Sequence, residues 1–277
     1  MVLLCIVGYQ KPIKKKKPNL VLIHGIGANA MWQWDKFITP LSSRFNLYVP
    51  DLLFFGESYT TRPEITELFQ CQCVMRTMEA YGVKKMIVVG LSYGGFVGYS
   101  MAVQFPEAVE KLVLGCSGVC LGEKDMENGM FQVKSVDEAV SILLPQSPEK
   151  LRQLMSWEAH ANISPLPEHE VMCTVNLQER KELIETLYNN RKFADLPKIT
   201  QPTLIIWGEY DQIFPLELAH RLNRHLGENA QLVIIKAAGH AINMEKPKEL
   251  YKHLKLFLLD SRPHTKPDSN DDSHKLD

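Results

Sequence analysis

The sequence predicts a doubly wound parallel α/β sheet in a chain of 277 residues. Short, continuous apolar runs recur along the chain, and amphipathic helical segments lie between them. None of the runs alternates apolar with polar residues, so each is predicted to be a parallel strand that is buried on both faces. Repetition of strand and helix is the element order of a parallel sheet covered by helices. With 45% hydrophobic and 23% charged residues, the composition is that of a globular protein.

Six apolar runs are the predicted strands. In chain order they are NLVLIHG (19–25), NLYVPD (46–51), MIVVG (86–90), KLVLGCSG (111–118), TLIIWGEYD (203–211) and AQLVIIKAAGH (230–240). The carboxyl ends of parallel strands share one edge of the sheet, and open α/β sheets bind their ligands there. Chemically active residues at the ends of these runs are therefore expected to lie close together.

Amphipathic helices are predicted between and after these strands. They include NAMWQWDKFITPLSSRF (29–45), EITELFQCQCVMRTMEAYGV (64–83), PLELAHRLNRHLG (215–227) and KPKELYKHLKLFLLD (246–260). Pro215 near the start and Gly227 at the end of the third segment have the positions expected at helix boundaries.

The stretch between Gly118 and Thr203 is far longer than one crossover helix needs. It contains several helical patches and is predicted to form an inserted helical lid over residues 119–196. The core then comprises residues 1–118 and 197–260. The polar segment 261–277 has no aromatic residue, and we expect it to be disordered.

A candidate nucleophile stands at the end of the third apolar run. Residues 90–94, Gly-Leu-Ser-Tyr-Gly, fit the pattern G-x-S-x-G and are followed by another glycine and a helical segment. In a strand–turn–helix setting this pattern forms a nucleophile elbow, with the serine at the carboxyl edge of the sheet and at a helix N-terminus. We therefore predict that Ser92 is the catalytic nucleophile.

A serine hydroxyl needs a general base, and the base needs a carboxylate that orients it. Among nine histidines, His240 stands just past the last strand, at the edge where Ser92 emerges. Asp211 ends the preceding strand and is the predicted orienting acid. Glu209 ranks second, and Asp51, which ends an earlier strand, is expected to brace the neighbouring loop.

Acyl transfer also needs donors for the developing oxyanion. The segment HGIGANA (24–30) follows the first strand directly, and its glycines allow backbone amides to point into the site. The N–H groups of Ile26 and Tyr93 are the predicted oxyanion hole. His24 is expected to be structural, with its ring nitrogens orienting this loop.

These motifs resemble the α/β-hydrolase superfamily over about residues 19–260. HGIG, GLSYGG, GEYD and AAGH occur in the expected order and at the expected loops. Within the superfamily, HGIGANAMWQWDKF and YVPDLLFFGES resemble the plant branch described as monoacylglycerol lipase-like or epoxide hydrolase-like serine hydrolases. Family members generally carry two leading antiparallel strands, whereas only MVLLCIVGY precedes the lysine run, so the first edge strand is expected to be missing or frayed.

The resemblance implies a Ser–His–Asp hydrolase whose helical cap covers an apolar pocket, and it favours cleavage of lipid-like or small hydrophobic carboxylic esters. Epoxide hydrolases and dehalogenases carry Asp at the position of Ser92, which disfavours those reactions. Plant hydroxynitrile lyases resemble a different branch, with Lys at the position of Ala241. A hormone-receptor-like binding protein and a carbon–carbon bond hydrolase or lyase stay open as alternatives. The candidate pocket residues, which are equally compatible with plain core packing, are Phe54, Phe55, Phe96, Trp157 and Ile213.

Composition bounds the other possibilities. A net charge of −1 offers no field that would recruit nucleic acid. The six cysteines have no disulfide or zinc spacing, so we expect reduced thiols, no bound metal or organic cofactor and a cytoplasmic location. The run KKKK at 14–17 is expected to be a solvated turn, with weak attraction to an anionic membrane as the alternative. We expect no signal peptide, no transmembrane segment, and a monomer or weak dimer.

Overall fold

The computed structural model describes residues 2–3, 17–158, 175–189 and 191–259. Its centre is a parallel sheet of six strands. These are β2 (Asn19–Ile23), β3 (Asn46–Tyr48), β5 (Met86–Leu91), β6 (Val109–Gly115), β7 (Thr203–Gly208) and β8 (Ala230–Ile235). They lie in the order β3-β2-β5-β6-β7-β8, and every neighbouring pair is parallel. The predicted fold class is confirmed.

Two very short strands, β1 (Val2–Leu3) and β4 (Tyr59–Thr60), pair antiparallel outside this sheet. Of the N-terminal segment before the lysine run, β1 is the part that the structure describes. Within the described residues, β3 is therefore one edge of the large sheet and β8 is the other.

Ten α-helices are described. They are α1 (Ala30–Ser42), α2 (Glu67–Ala80), α3 (Tyr93–Gln104), α4 (Glu123–Glu127), α5 (Val136–Leu143), α6 (Pro148–Glu158), α7 (Leu177–Tyr188), α8 (Leu216–Leu226), α9 (Ile242–Glu245) and α10 (Pro247–Leu259). Short 3₁₀ helices span Phe193–Asp195 and Gly227–Asn229. No helix within the described ranges is both long and apolar enough to cross a bilayer.

Side-chain caps set the first residue of two core helices. Asn29 accepts a hydrogen bond from the amide of Trp32 at 2.8 Å and starts α1. Thr66 accepts one from Phe69 at 3.1 Å, so α2 begins three residues later than the apolar pattern alone suggests. A cap of this kind satisfies one of the amides that a helix start leaves without a partner.

The central strands are buried on both faces as predicted, and every residue of β5 and β7 is buried. Strand β8 is the exception, because four of its six residues are partly exposed and Gln231 is exposed. The expectation of two-sided burial is wrong for this strand, since a strand at the edge of the sheet lacks a neighbour on one side. Its apolar run therefore reflects half-buried packing against α8.

Helices α4 to α7 lie between β6 and β7, in the interval predicted as a lid. Arg191 ties the end of this interval to the core, since its guanidinium pairs with Glu67 of α2 at 2.9 Å and donates to the carbonyl of Val119 at 3.3 Å. Arg221 of α8 pairs with Asp125 of α4 at 2.6 Å. The predicted tail at 261–277 lies outside the described residues, as do Cys5, Cys173 and residues 14–16 of the lysine run.

Candidate active site

Ser92 stands in the sharp turn between β5 and α3. Its backbone has φ 54° and ψ −122°, a left-handed conformation that a residue with a side chain rarely adopts. The turn fits only because its neighbours are glycines: a Cβ at Gly90 would overlap the backbone of Gly94, and one at Gly94 would overlap the carbonyl of Ile23. Strain at this position is the local signature of a nucleophile elbow.

Asp211 and His240 meet at the carboxyl edge of the sheet. His240 Nδ1 lies 2.8 Å from Asp211 Oδ2, and both residues are buried. The other carboxylate oxygen, Oδ1, accepts the amides of Ile213 and Phe214, each at 2.9 Å. Because a carboxylate accepts, Nδ1 carries the proton, and Nε2 is the acceptor nitrogen of the neutral ring. That is the tautomer a general base requires.

Ser92 and His240 line one cavity of about 40 Å³ together with the loop that follows β2. Ile26 is in the same wall, and a Cβ built on Gly25 would lie 3.5 Å from Ser92 Oγ, so the loop backbone runs beside the hydroxyl. Tyr93 is the first residue of α3, where an amide has no acceptor inside the helix. Ile26 and Tyr93 are therefore both close to Ser92, and their amides as the oxyanion hole stay a prediction.

His24 is fully buried and holds this loop in place. Its Nδ1 donates to the carbonyl of Gly25 at 2.8 Å, while its Nε2 accepts the amide of Leu52 at 3.0 Å. The Gly25 amide in turn donates to Gln33 Oε1 at 2.8 Å. Burial lowers the pKa of His24, so the ring is neutral. The predicted structural role agrees with these contacts.

The alternative carboxylates have other partners. Asp51 Oδ1 accepts the amide of Ala30 at 2.8 Å, at the first turn of α1, which agrees with the predicted bracing role. Glu209 accepts from Lys236 at 2.7 Å and from the amide of Ala237 at 3.0 Å. Of the three candidates, Asp211 is the carboxylate hydrogen-bonded to His240.

The predicted pocket residues fall into two groups. Trp157 and Ile213 line a narrow cavity of about 20 Å³ under α5, α6 and α7. Phe54, Phe55 and Phe96 are buried, and they are not among the described residues that line that cavity or the Ser92 cavity. Their described contacts are packing contacts. Phe55, for example, packs against the ring of His24 and lies under the guanidinium of Arg180, whose Cζ is 4.3 Å from the centroid of the Phe55 ring. A substrate-binding role for these three stays a prediction.

Sequence reasoning missed Cys116, which follows β6 directly. Its Sγ, a carboxylate oxygen of Asp211 and a ring nitrogen of His240 all lie within 4.8 Å of one another. These are metal-ligand types, but Asp211 and His240 are hydrogen-bonded to each other, and burial raises the pKa of the thiol well above its usual value. A protonated thiol is a poor metal ligand, so the cluster fits an acid–base pair better than a metal centre. The position of Cys116 at a strand end was the available sequence signal.

Fold and site together define the class: a parallel α/β sheet that presents a strained serine and a histidine–aspartate pair at its carboxyl edge. Residues 20–253 match the model of the alpha/beta hydrolase family, and the chain belongs to that family.

Relatives and solved structures agree with this assignment. The chain is 25% identical over 280 residues to a monoacylglycerol lipase, ABHD6 of Bos taurus, with 94% of this chain and 79% of that protein covered. It superposes on an esterase, EaEST of Exiguobacterium antarcticum, with TM-score 0.78 at 18% identity, covering 94% and 96% of the two chains. A 2-hydroxy-6-oxo-6-phenylhexa-2,4-dienoate hydrolase from Rhodococcus superposes with TM-score 0.69 at 20% identity over 93% and 99%. The family and its relatives support hydrolase activity, and the two structures show the fold.

Proposed function

We propose that the protein is a serine hydrolase that cleaves carboxylic esters of lipid-like or small hydrophobic molecules. The observation that carries the proposal is the 2.8 Å hydrogen bond between His240 Nδ1 and Asp211 Oδ2, beside a cavity that His240 shares with Ser92. It supports a base in the correct tautomer next to a nucleophile in a strained turn. The neutral, backbone-bonded His24 has neither ring nitrogen available for this task.

The reaction has two steps. Ser92 Oγ attacks the ester carbonyl carbon and gives its proton to His240 Nε2, while the carbonyl electron pair moves to the oxygen and is stabilised by the amides of Ile26 and Tyr93. The intermediate collapses to an acyl-enzyme, and His240 protonates the departing alcohol. Water then gives a proton to His240 and attacks the acyl carbon, and the acid leaves as Ser92 recovers the proton. Asp211 stabilises the imidazolium in both steps.

The wall of the second cavity supports the proposed substrate class. Under α5, α6 and α7 it is lined mostly by apolar side chains, among them Phe131, Ile142 and Trp157, together with Gln132 and Gln212. Ile213 belongs to the same wall and stands two residues after Asp211, so this apolar space adjoins the acid–base pair. We propose that residues 119–196 act as a lid whose inner face contacts the acyl group. The name monoacylglycerol lipase, carried by a relative, agrees with a lipid-like ester.

The test is hydrolysis of p-nitrophenyl esters of graded acyl length by the wild-type protein and by Ser92→Ala. We expect kcat/KM of the variant to fall by at least about a thousandfold, because the nucleophile is lost while the fold is kept. Ser100→Ala is the matched control. Ser100 is on the same helix, but its hydroxyl donates to Glu67 at 3.0 Å. That variant is expected to keep its activity and its labelling by a fluorophosphonate.

Undiminished hydrolysis by Ser92→Ala would exclude Ser92 as the nucleophile. Single acylation of wild-type protein without turnover of any ester in the series would contradict an esterase, and it would favour a ligand-binding receptor that uses the same fold. A parallel assay with a diketone substrate tests carbon–carbon bond cleavage. Turnover of the diketone with no turnover of esters would replace the present proposal.

A further inference from the structure

The corner between β6 and the lid interval contacts each part of the candidate acid–base site. The carbonyl of Gly115 accepts the amide of Ser92 at 2.8 Å. The next residue, Cys116, donates its amide to the carbonyl of Ile206 in β7 at 2.9 Å and has φ 44°. This positive φ is unusual for a residue with a side chain, and it turns Cys116 out of the regular strand path.

The turn brings a fully buried thiol to the Asp211–His240 pair. Cys116 is 1% exposed, and its Sγ lies within 4.8 Å of the ligand atoms of both residues. Burial raises the pKa of this thiol well above its usual value, and the charge of the nearby Asp211 carboxylate acts in the same direction. Since burial beside a carboxylate keeps the thiol protonated, Cys116 offers an S–H donor close to Asp211.

We propose that Cys116 is a positioning residue for the catalytic pair. Its thiol donates to the Asp211 carboxylate and holds that carboxylate in the position from which it accepts the hydrogen bond of His240. This inference rests on the proposed esterase function. Asp211 Oδ1 is held by the amides of Ile213 and Phe214, whereas Oδ2 faces His240. The thiol adds a donor from a third element, so the carboxylate is fixed by the loop after β7, by the loop after β8 and by the end of β6.

The thiol also tunes the base. A donor to Asp211 draws negative charge away from the hydrogen bond with His240, so its removal increases the attraction between carboxylate and imidazolium. The pKa of His240 is then expected to rise. The other charged group that acts on Cys116 is Glu245 of α9, whose carboxylate accepts the amide of Gly239. A substitution of Cys116 leaves Glu245 unchanged, so Glu245 does not obscure the comparison between the variant and the wild-type protein.

The experiment compares Cys116→Ala with wild-type protein and with Cys116→Ser, which retains a donor. For Cys116→Ala we expect kcat to fall about tenfold, because the carboxylate loses its register, and the acid limb of kcat/KM against pH to move upward by about half a unit. Cys116→Ser is expected to restore both. Cys116→Gly is a second variant without a donor that accepts the positive φ, in case the Ala variant does not fold.

Cys120→Ala is the matched control. Cys120 is a fully buried thiol four residues further along the same segment, but it donates to the carbonyl of Leu218 at 3.1 Å. A purely structural thiol would behave alike at both positions, so we expect the control to keep the wild-type acid limb even if its melting temperature falls.

A second readout does not depend on turnover. The proton between His240 Nδ1 and Asp211 Oδ2 gives a strongly downfield NMR resonance, assigned by its loss in Asp211→Asn. We expect it to move in Cys116→Ala and to stay in Cys120→Ala. If wild-type protein hydrolyses no ester, the proposed function fails while this resonance still tests the role of the thiol. An unmoved resonance in Cys116→Ala, or an acid limb shared with Cys120→Ala, would overturn the role proposed for Cys116.

Discussion

Two buried histidines lie at the same edge of the sheet, each beside an aspartate, and their ring nitrogens have different hydrogen-bond partners. His24 Nε2 lies 3.8 Å from Asp51 Oδ1, but both ring nitrogens are hydrogen-bonded to backbone groups. His240 directs Nδ1 at Asp211 from 2.8 Å and lines the Ser92 cavity. Proximity of histidine and aspartate therefore does not define a catalytic pair. The hydrogen-bond partner of each ring nitrogen distinguishes the two pairs.

The difference arises from the loops that carry the two rings. His24 sits where β2 runs into the loop before α1, and its hydrogen bonds join that loop to the segment after β3 at Leu52. His240 sits where β8 runs into α9, and its partner is a side chain rather than a backbone amide. A ring bonded to the backbone stabilises a conformation, whereas a ring bonded to a carboxylate is prepared to carry a proton.

The largest expected effect comes from exchanging each aspartate for asparagine. In Asp211→Asn the amide can still accept from the amides of Ile213 and Phe214, but its NH₂ group then faces Nδ1 and forces the wrong tautomer. We expect kcat to fall by about 10⁴-fold with little loss of stability. Asp51→Asn is expected to keep kcat within about tenfold and to lower the melting temperature, because Asp51 supports the start of α1.

Steady-state kinetics and thermal melts of the two variants make the comparison. Equal losses of kcat would show that the pairs are not distinct in function, and the distinction drawn from the hydrogen bonds would be wrong. A large loss of kcat in Asp51→Asn without a loss in Asp211→Asn would show that the catalytic pair is His24–Asp51 and not His240–Asp211.

A smaller effect is expected from His24→Ala. The substitution leaves the buried carbonyl of Gly25 and amide of Leu52 without their partner, and each unsatisfied group costs about 1–3 kcal/mol. We therefore expect the free energy of unfolding to fall by about 2–6 kcal/mol, measured by urea denaturation. Folded His24→Ala protein should retain measurable ester hydrolysis, whereas His240→Ala should be inactive. A stable, inactive His24→Ala would contradict the structural role.

The sequence sufficed for the sheet and for the pairing of His240 with Asp211, because the rule that parallel strands share a carboxyl edge needs only the strand ends. It did not predict the half-exposed face of β8, since a run of apolar residues is the same at an edge and in the centre. Cys116 was missed because its contact with Asp211 depends on a positive φ, which no local pattern requires of a cysteine. The apolar residues of the pocket were uncertain because core and pocket walls use the same residue types.

The smallest expected effect is a difference in acid stability. The pKa of His24 is lowered, first by burial and then by the charge of Arg180, against opposing contributions from the Gly25 carbonyl and Asp51. The unfolded chain therefore takes up a proton at His24 near pH 6.5, while the folded chain does so only at lower pH. Stability that depends on His24 is complete above about pH 6.5 and is lost as the pH falls below it, at no more than about 1.4 kcal/mol per pH unit. Urea midpoints of wild type and His24→Gln between pH 7 and pH 5 measure this slope. We expect the wild-type slope to be the steeper one, and parallel slopes would mean that His24 is not held neutral by its surroundings.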